Sequence, residues 1–400
     1  MGFEFSELYR QGLPPSEAKW AGIPEFSFVG GNNDEENVPV AGLTEAVTRV
    51  LQREGRKLAV YNLGGSPLGY EDLRQFICHK LGVRAATSVD PDEVLITSGS
   101  LQALDLVNDL LLLPGDSVIV EEATYGGMIS RLKRLGVVVH GVGLDQHGVR
   151  PDHLLELLET CTSQGRPAKY LYTIPTVQNP TGSCMPLERR LEILAAMDGY
   201  QTAIFEDDCY ADLLWGCDRP PTLWELDNPG RRVIYCGSFS KSIAPALRVG
   251  YLVAESSVLQ QILSLKTDAG SGALEQMVVA EYASAHFDKH AERLTSVLRE
   301  KAEVMAEAIE ENFGDSVDFE MPQGGIFMWL TFADNVDTAD FSVEAAESGI
   351  EFNAGAGWSV DPLWGANKMR LCFGNPSREA IQDGVQRLAH IMGMASASAD

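Results

Sequence analysis

Short apolar runs alternate along the chain with longer stretches in which apolar positions return every three or four residues. The runs at Val94–Thr97, Ser117–Val120, Val137–Val142, Lys169–Thr173, Ala203–Asp207, Arg232–Cys236 and Val249–Ala254 read as buried strands. Helical spacing marks Leu43–Glu54, the stretch from Ser100 to Val107, a helix starting within Leu154–Leu158, and a long charged amphipathic helix over about 285–312, while Lys266–Gln276 leads into a further helix. Two later runs, Ile326–Leu330 and Lys368–Phe373, read as strands of a second unit. Residues 1–45, aromatic and punctuated by Pro and Gly, read as an arm. Strands alternating with helices predict an α/β fold, a mostly parallel sheet wrapped by helices. Ligands of such sheets bind beyond the carboxyl ends of the strands.

Composition narrows the function classes. The 400 residues are 45% hydrophobic and 22% charged, enough for a large domain with a smaller satellite. A net charge of −26 argues against nucleic acid and anionic membrane as partners, although a local cationic pocket can still take an anion. Seven cysteines, odd in number and without a Cys-x-x-Cys pair, read as reduced thiols of a cytoplasmic protein with no metal role. No signal peptide and no apolar run of transmembrane length is apparent. A glycine fingerprint for dinucleotides and a Walker-type loop are both missing.

The strand ends carry the chemistry. Lys241 lies between Ser240 and Ser242, just beyond an apolar run, with Pro245 and Arg248 following. Burial and a nearby cation lower a lysine pKa and free its amine to attack a carbonyl. Ser238, Ser240 and Arg248 can hold a phosphate, with the guanidinium gripping two oxygens. A Schiff-base lysine beside a phosphate cradle is what pyridoxal 5'-phosphate requires. The helix start at Ser100, Leu101 and Gln102 offers backbone N–H groups to the same phosphate. Glu206, Asp207 and Asp208 end another strand, and burying one of these carboxylates calls for a cation such as a protonated pyridine nitrogen. The turn Asn179-Pro180-Thr181-Gly182 aims the asparagine amide inward.

Ser238-x-Ser240-Lys241 followed by Ala244-Pro245-x-Leu247-Arg248-x-Gly250-Tyr251 resembles the fold-type I pyridoxal-phosphate enzymes. More narrowly, it resembles the class I/II aminotransferases of the 2-aminoadipate and kynurenine aminotransferase kind, with Ala246 where relatives have glycine. The resemblance runs from about Phe26 to Phe373. It implies an aspartate aminotransferase-like fold: a large domain, 46–285, with a seven-stranded type of sheet, and a small α/β domain, 286–400, joined by the arm 1–45. It further implies catalytic roles for Lys241, Asp207 and Tyr125, with Tyr125 stacked on the pyridine ring and Asp207, three residues before Tyr210, at the ring nitrogen. Asn179 and Tyr210 would bond the phenolic oxygen, Arg370 the substrate carboxylate, and Gly31 would let substrate approach the backbone. Tyr61 would reach the phosphate of a neighbouring subunit, making a homodimer with shared sites. The implied reaction is ping-pong transfer of an amino group from an L-α-amino acid to a 2-oxo acid, by default 2-oxoglutarate. Two departures, Asn32–Glu36 in place of a Gly-Gly-x-Pro continuation and Ala354–Trp358 in place of a Pro-Gly pair, leave another pyridoxal-phosphate reaction (a lyase, a deaminase or oxidase, or a carbon–carbon bond former) as the alternative. Asn32–Glu36 itself reads as a solvated acidic loop, with substrate selection as its other reading, one that would favour a cationic side chain.

Overall fold

The computed structural model describes residues 3–9, 13, 16, 22–82, 89–227 and 230–394. Seven strands form its main sheet: β1 (Val94–Thr97), β2 (Ser117–Glu121), β3 (Val138–Val142), β4 (Ala168–Thr173), β5 (Ala203–Asp207), β6 (Val233–Ser238) and β7 (Gly250–Val253). Their order is β1-β7-β6-β5-β4-β2-β3. All neighbours pair parallel except β7, which runs against both β1 and β6. Alternate residues sort to opposite faces, as a period of two demands. Leu95, Val118, Tyr172, Phe205 and Ile234 pack into one layer, while Ile96, Ile119, Leu171, Ile204 and Tyr235 pack on the other side. Both faces are covered, which is why these strands read as continuous apolar runs.

The helices of ten or more residues are α1 (Val40–Glu54), α2 (Glu71–Gly82), α3 (Ser100–Leu111), α4 (Gly126–Leu135), α5 (Pro151–Ser163), α6 (Leu187–Ala196), α7 (Ser256–Leu265), α8 (Ala273–Phe313) and α9 (Arg378–Ile391). Helix α5 starts ahead of the expected Leu154 because Pro151 occupies its first turn, where a missing N–H costs nothing. Helix α1 begins at Val40, so the expected boundary at 45/46 falls inside it. The largest difference is α8: the helix expected after Lys266–Gln276 and the long one expected from about 285 are a single helix that starts at Ala273 and runs for 41 residues, about 60 Å. Gln276 through Ala280 are all buried, so this part of α8 has no polar face to produce a helical period. Its first half packs with β1 and β7 residues, and its second half with the smaller sheet. The helix therefore passes unbroken through the expected boundary at 285/286.

The second sheet is antiparallel: β8 (Val317–Phe319), β9 (Phe327–Phe332), β10 (Asn353–Ala354) and β11 (Lys368–Cys372), in the order β8-β9-β11-β10. The arm joins this unit. Phe26 and Ser27 pair parallel with Ile350 and Glu351, and the Cys372 N–H donates to the Phe28 carbonyl at 2.8 Å. That seam lays Val29–Asp34 beside β11. No helix among the described residues is long and apolar enough to cross a membrane.

Candidate active site

The loops beyond β1, β2, β4, β5 and β6 converge on one cavity of about 140 Å³. Ser100, Leu101, Tyr125, Asn179, Asp207, Tyr210, Ser240, Lys241 and Arg248 all line it. A larger hollow of about 610 Å³ between α2 and α8 holds none of them. Size does not locate chemistry here; convergence of strand-end groups does.

Lys241 follows β6 in a loop closed by a hydrogen bond of 3.1 Å from the Phe239 N–H to the Val249 carbonyl. Its ammonium donates to the Gly31 carbonyl and lies 5.7 Å from the centre of the Tyr210 ring. Burial lowers the amine below the ordinary lysine range, and the Arg370 and Arg248 guanidiniums add to the lowering. A Cβ at residue 31 would stand 3.0 Å from that nitrogen, so glycine lets the backbone come this close.

The three consecutive acids have three different surroundings. Glu206 is fully buried, accepts the Leu223 and Trp224 N–H groups at 2.9 Å each, and faces Arg190 at 3.7 Å. Asp208 pairs with Arg219 and accepts the Tyr235 hydroxyl at 3.0 Å. Asp207, between them, accepts the Tyr172 hydroxyl at 2.7 Å and the Cys209 N–H at 3.3 Å. Among the described residues, no cationic nitrogen reaches it. Burial consequently raises its carboxyl above the usual range, against the pull of Cys209 and Tyr172. Its oxygen and the Cys209 and Cys236 sulfurs lie within 4.8 Å of one another.

At the other end of the cavity, α3 begins after Gly99, whose φ is +75°. Its first turn has no side-chain cap, leaving N–H groups free for an anion. A Cβ at Gly99 would meet the Arg248 Nη2 at 2.2 Å. The Arg248 guanidinium donates to the Ser98 carbonyl at 3.1 Å and to the Ser240 hydroxyl at 3.5 Å. The Gln102 and Ser238 side chains are engaged within the cradle, while the contact expected of Gln102 is through its backbone N–H. The Gln102 amide spans the Ser98 N–H at 2.8 Å and Asp268 at 2.6 Å, and the Ser238 hydroxyl accepts the Ser240 N–H at 3.1 Å. Both side chains shape the cradle rather than line it.

Arg370 comes from β11. Its guanidinium lies 3.7 Å from the centre of the Trp358 ring and 5.4 Å from that of Phe327. It donates to the Asn179 side-chain oxygen at 3.0 Å and to the Val29 carbonyl at 3.1 Å. Its Nε is buried without a partner, and no carboxylate among the described residues pairs with it. Tyr125 starts α4 and stands 5.9 Å from the Trp358 ring. Tyr61 is 81% exposed and does not line the cavity of its own chain. In the Asn32–Glu36 loop only Glu35 and Glu36 are exposed, which corrects the expectation of a wholly solvated turn.

These groups fit pyridoxal phosphate. The buried carboxylate lacks a cation, the uncapped helix start and Arg248 offer an anion site, and a lysine of lowered pKa lies in the same cavity. Four supporting residues escaped the sequence reading. Tyr172 and Cys209 bond Asp207, Trp358 covers Arg370, and Gln178 ties the Asn179 turn to Glu121 at 2.8 Å and to the Ala123 carbonyl at 2.7 Å. Gln178 lies next to the asparagine turn and Cys209 two residues from Asp207, whereas Tyr172 and Trp358 depend on long-range packing.

The family model of class I and II aminotransferases matches residues 31–388. The 2-aminoadipate transaminase of Thermus thermophilus is 36% identical over 374 residues, covering 92% of this chain and 90% of that protein. The crystal structure of the α-aminoadipate aminotransferase LysN of Thermus thermophilus, complexed with N-(5'-phosphopyridoxyl)-L-leucine, superposes with a TM-score of 0.84 at 33% identity, covering 92% of each chain. The multiple substrate aminotransferase of Thermococcus profundus gives 0.89 at 28% identity, covering 98% of each.

Proposed function

The chain belongs to the class I and II aminotransferases and is a pyridoxal-phosphate-dependent enzyme; from this premise we propose how its own residues divide the work. Lys241 would hold the cofactor covalently through its amine until a substrate amine displaces it. The α3 N-terminus, Ser240 and Arg248 hold the phosphate, Tyr125 walls the ring, and Asn179 and Tyr210 take the phenolic oxygen. Bound there, the cofactor supplies an electron sink for the carbanion left when the substrate Cα loses its proton.

Asp207 holds the ring nitrogen protonated. At ~4 Å and an effective dielectric of ~20 such a pair gains about 4 kcal/mol, roughly three pKa units. Arg370 grips the substrate carboxylate, and its unpaired Nε supports this role. That grip orients the Cα–H bond toward Lys241. Once the substrate's amino group has taken its place on the cofactor, the freed Lys241 amine would take the Cα proton and give it back, acting as base and then acid. Water would release the donor as its 2-oxo acid, leaving the amino group on the cofactor, and a second oxo acid, for which we propose 2-oxoglutarate, would take it up by the same steps in reverse. The single observation behind this reading is the pair of buried, uncompensated groups around Lys241: Asp207, which shares its cavity, and Arg370, whose charge helps lower its amine.

We also propose a cytoplasmic homodimer in which residues 46–285 hold the cofactor and residues 1–45 with 286–400 close over the substrate. The seven free thiols support the compartment. Exposed Val40, Leu51, Leu58, Val60 and Tyr61 support a second copy lying against that surface, with Tyr61 reaching its phosphate site.

The test is the visible absorption of the purified protein, with amino acids added one at a time and no oxo acid. A yellow band that bleaches with a donor and returns with 2-oxoglutarate is expected, and it identifies the donor. A band absent even after cofactor is supplied would remove Lys241 from its role; recovery only with other oxo acids would remove 2-oxoglutarate.

A further inference from the structure

The turn after Gly31 grips Lys241 at both ends. The Gly31 carbonyl accepts from the ammonium at the tip of the side chain, and the Asn33 amide donates to the Lys241 main-chain carbonyl at 2.7 Å. The turn is itself fastened to the smaller unit. The Asp34 N–H donates to the Gly374 carbonyl at 3.1 Å, and the Asn32 amide donates to the Asn375 side chain at 3.1 Å. A Cβ at Gly374 would come within 2.8 Å of the Asn32 carbonyl, so the two segments touch directly.

The Asp34 carboxylate completes the fastening. One oxygen pairs with Lys301 of α8, and the other accepts the Asn37 N–H at 3.1 Å and the Asn37 amide at 2.7 Å. Lys301 is only 4% exposed, and its ammonium also donates to the Gly374 carbonyl at 3.1 Å. A buried ion pair repays its desolvation poorly as a source of stability. Here it fixes a geometry instead, pinning the turn to the helix that runs through both units.

We propose that Asn33, Asp34 and Lys301 form a latch that positions Lys241 for proton transfer, an inference resting on Lys241 being the cofactor lysine. The lysine side chain has four rotatable bonds, and its amine must serve two adjacent atoms in turn. Holding its main chain from the turn removes slack that would otherwise be lost in each transfer. Asn33, Asp34 and Lys301 act through Lys241 and are positioning residues.

The test compares Asn33→Ala, Asp34→Asn, Lys301→Met and the double variant Asp34→Asn/Lys301→Met, each loaded with pyridoxal phosphate. Lys241 is faced by Asp207, Cys209 and Tyr210 after β5, by Tyr125 and Arg248, and by Arg370 and Cys372 from β11, all unchanged in these variants. Each single variant should lower kcat about fivefold to tenfold, the size of one hydrogen bond, with a smaller change in KM for the amino acid. The pH midpoint of the visible band should rise by about 0.5 unit as water reaches a less enclosed lysine. The double variant should be no worse than Asp34→Asn alone, because the two partners act as one latch. A fall in melting temperature with kcat and the pH midpoint both unmoved would reduce the latch to a structural anchor and overturn the proposal. A wild-type band that survives Lys241→Ala would instead overturn the reading on which it rests.

Discussion

The carboxyl edge of the seven-stranded sheet and the middle of the four-stranded sheet both contribute to one site, by opposite means. On the large sheet the functional side chains stand at or just past strand ends, most of them on turns whose own residues aim them, with Asp207 the last residue of β5. On the small sheet Arg370 lies within β11, its Cα paired with Trp329 on one neighbour and Asn353 on the other. Its direction follows from strand alternation, and its surroundings come from Trp358, Asn179 and Val29, far away in sequence. A turn-borne group carries its instructions locally, whereas a strand-borne group borrows them from the whole fold.

Removing the central turn-borne group should have the largest effect. Lys241→Ala should lower turnover by at least about 10⁴-fold, the upper range for a general base, while melting cooperatively like the wild type. Single-turnover measurements on protein loaded with excess cofactor check this, and near-normal turnover would remove Lys241 from the proton path.

Next comes a contrast inside one strand end. Asp207→Asn keeps the shape but loses the charge facing the ring nitrogen, so kcat/KM should fall about 10³-fold, matching three pKa units. Asp208→Asn removes the nearer of the two carboxylates beside Arg219, Asp212 at 3.9 Å being the other, and should cost about 1–3 kcal/mol of stability with little change in rate. Equal rate losses from both would show that the three acids are not separated as their partners indicate.

Arg370→Lys tests the strand-borne half. A lysine cannot offer the two-pronged grip or lie flat against Trp358. KM for the amino acid should rise about tenfold to a hundredfold, the worth of a charge-assisted hydrogen bond, with kcat falling less. If kcat fell and KM held, Arg370 would belong with the groups acting on the reacting atoms.

Much of the turn-borne half was legible in the sequence, because Gly, Pro and Asn state the backbone conformation and the apolar runs state where strands end. Asp207 was singled out by its place three residues before Tyr210, as the resemblance implies, and of the three acids it is the one that no cation among the described residues pairs with. What could not be read depends on packing at a distance. Nothing near Tyr172 signals that its hydroxyl bonds Asp207, and nothing near Trp358 signals that its ring covers Arg370. The continuity of α8 was hidden for a related reason: the buried run Gln276 to Ala280 has no polar face to carry a helical period into the charged stretch that follows. Asp34 misled because an acid-rich turn looks solvated until its buried partner, Lys301, is seen.

The finest difference between the two halves is one of pH. The lowered pKa of Lys241 means that its neutral, nucleophilic form is reached at a lower pH than for an ordinary lysine. Capture of pyridoxal phosphate by the cofactor-free protein needs that neutral amine, so its rate should climb with pH and level off below the ordinary lysine value of about 10.4. The sign extends to stability. A lysine whose folded pKa lies below its unfolded value binds fewer protons when folded, so it favours the folded state above the unfolded pKa. That contribution is lost as pH falls from the ordinary lysine value toward the lowered one. The cofactor-free protein should therefore lose part of its stability across this window, and Lys241→Met should flatten the loss. A capture rate still rising at the ordinary lysine pKa would mean that the amine is more hydrated than its enclosure by Gly31 and Tyr210 allows.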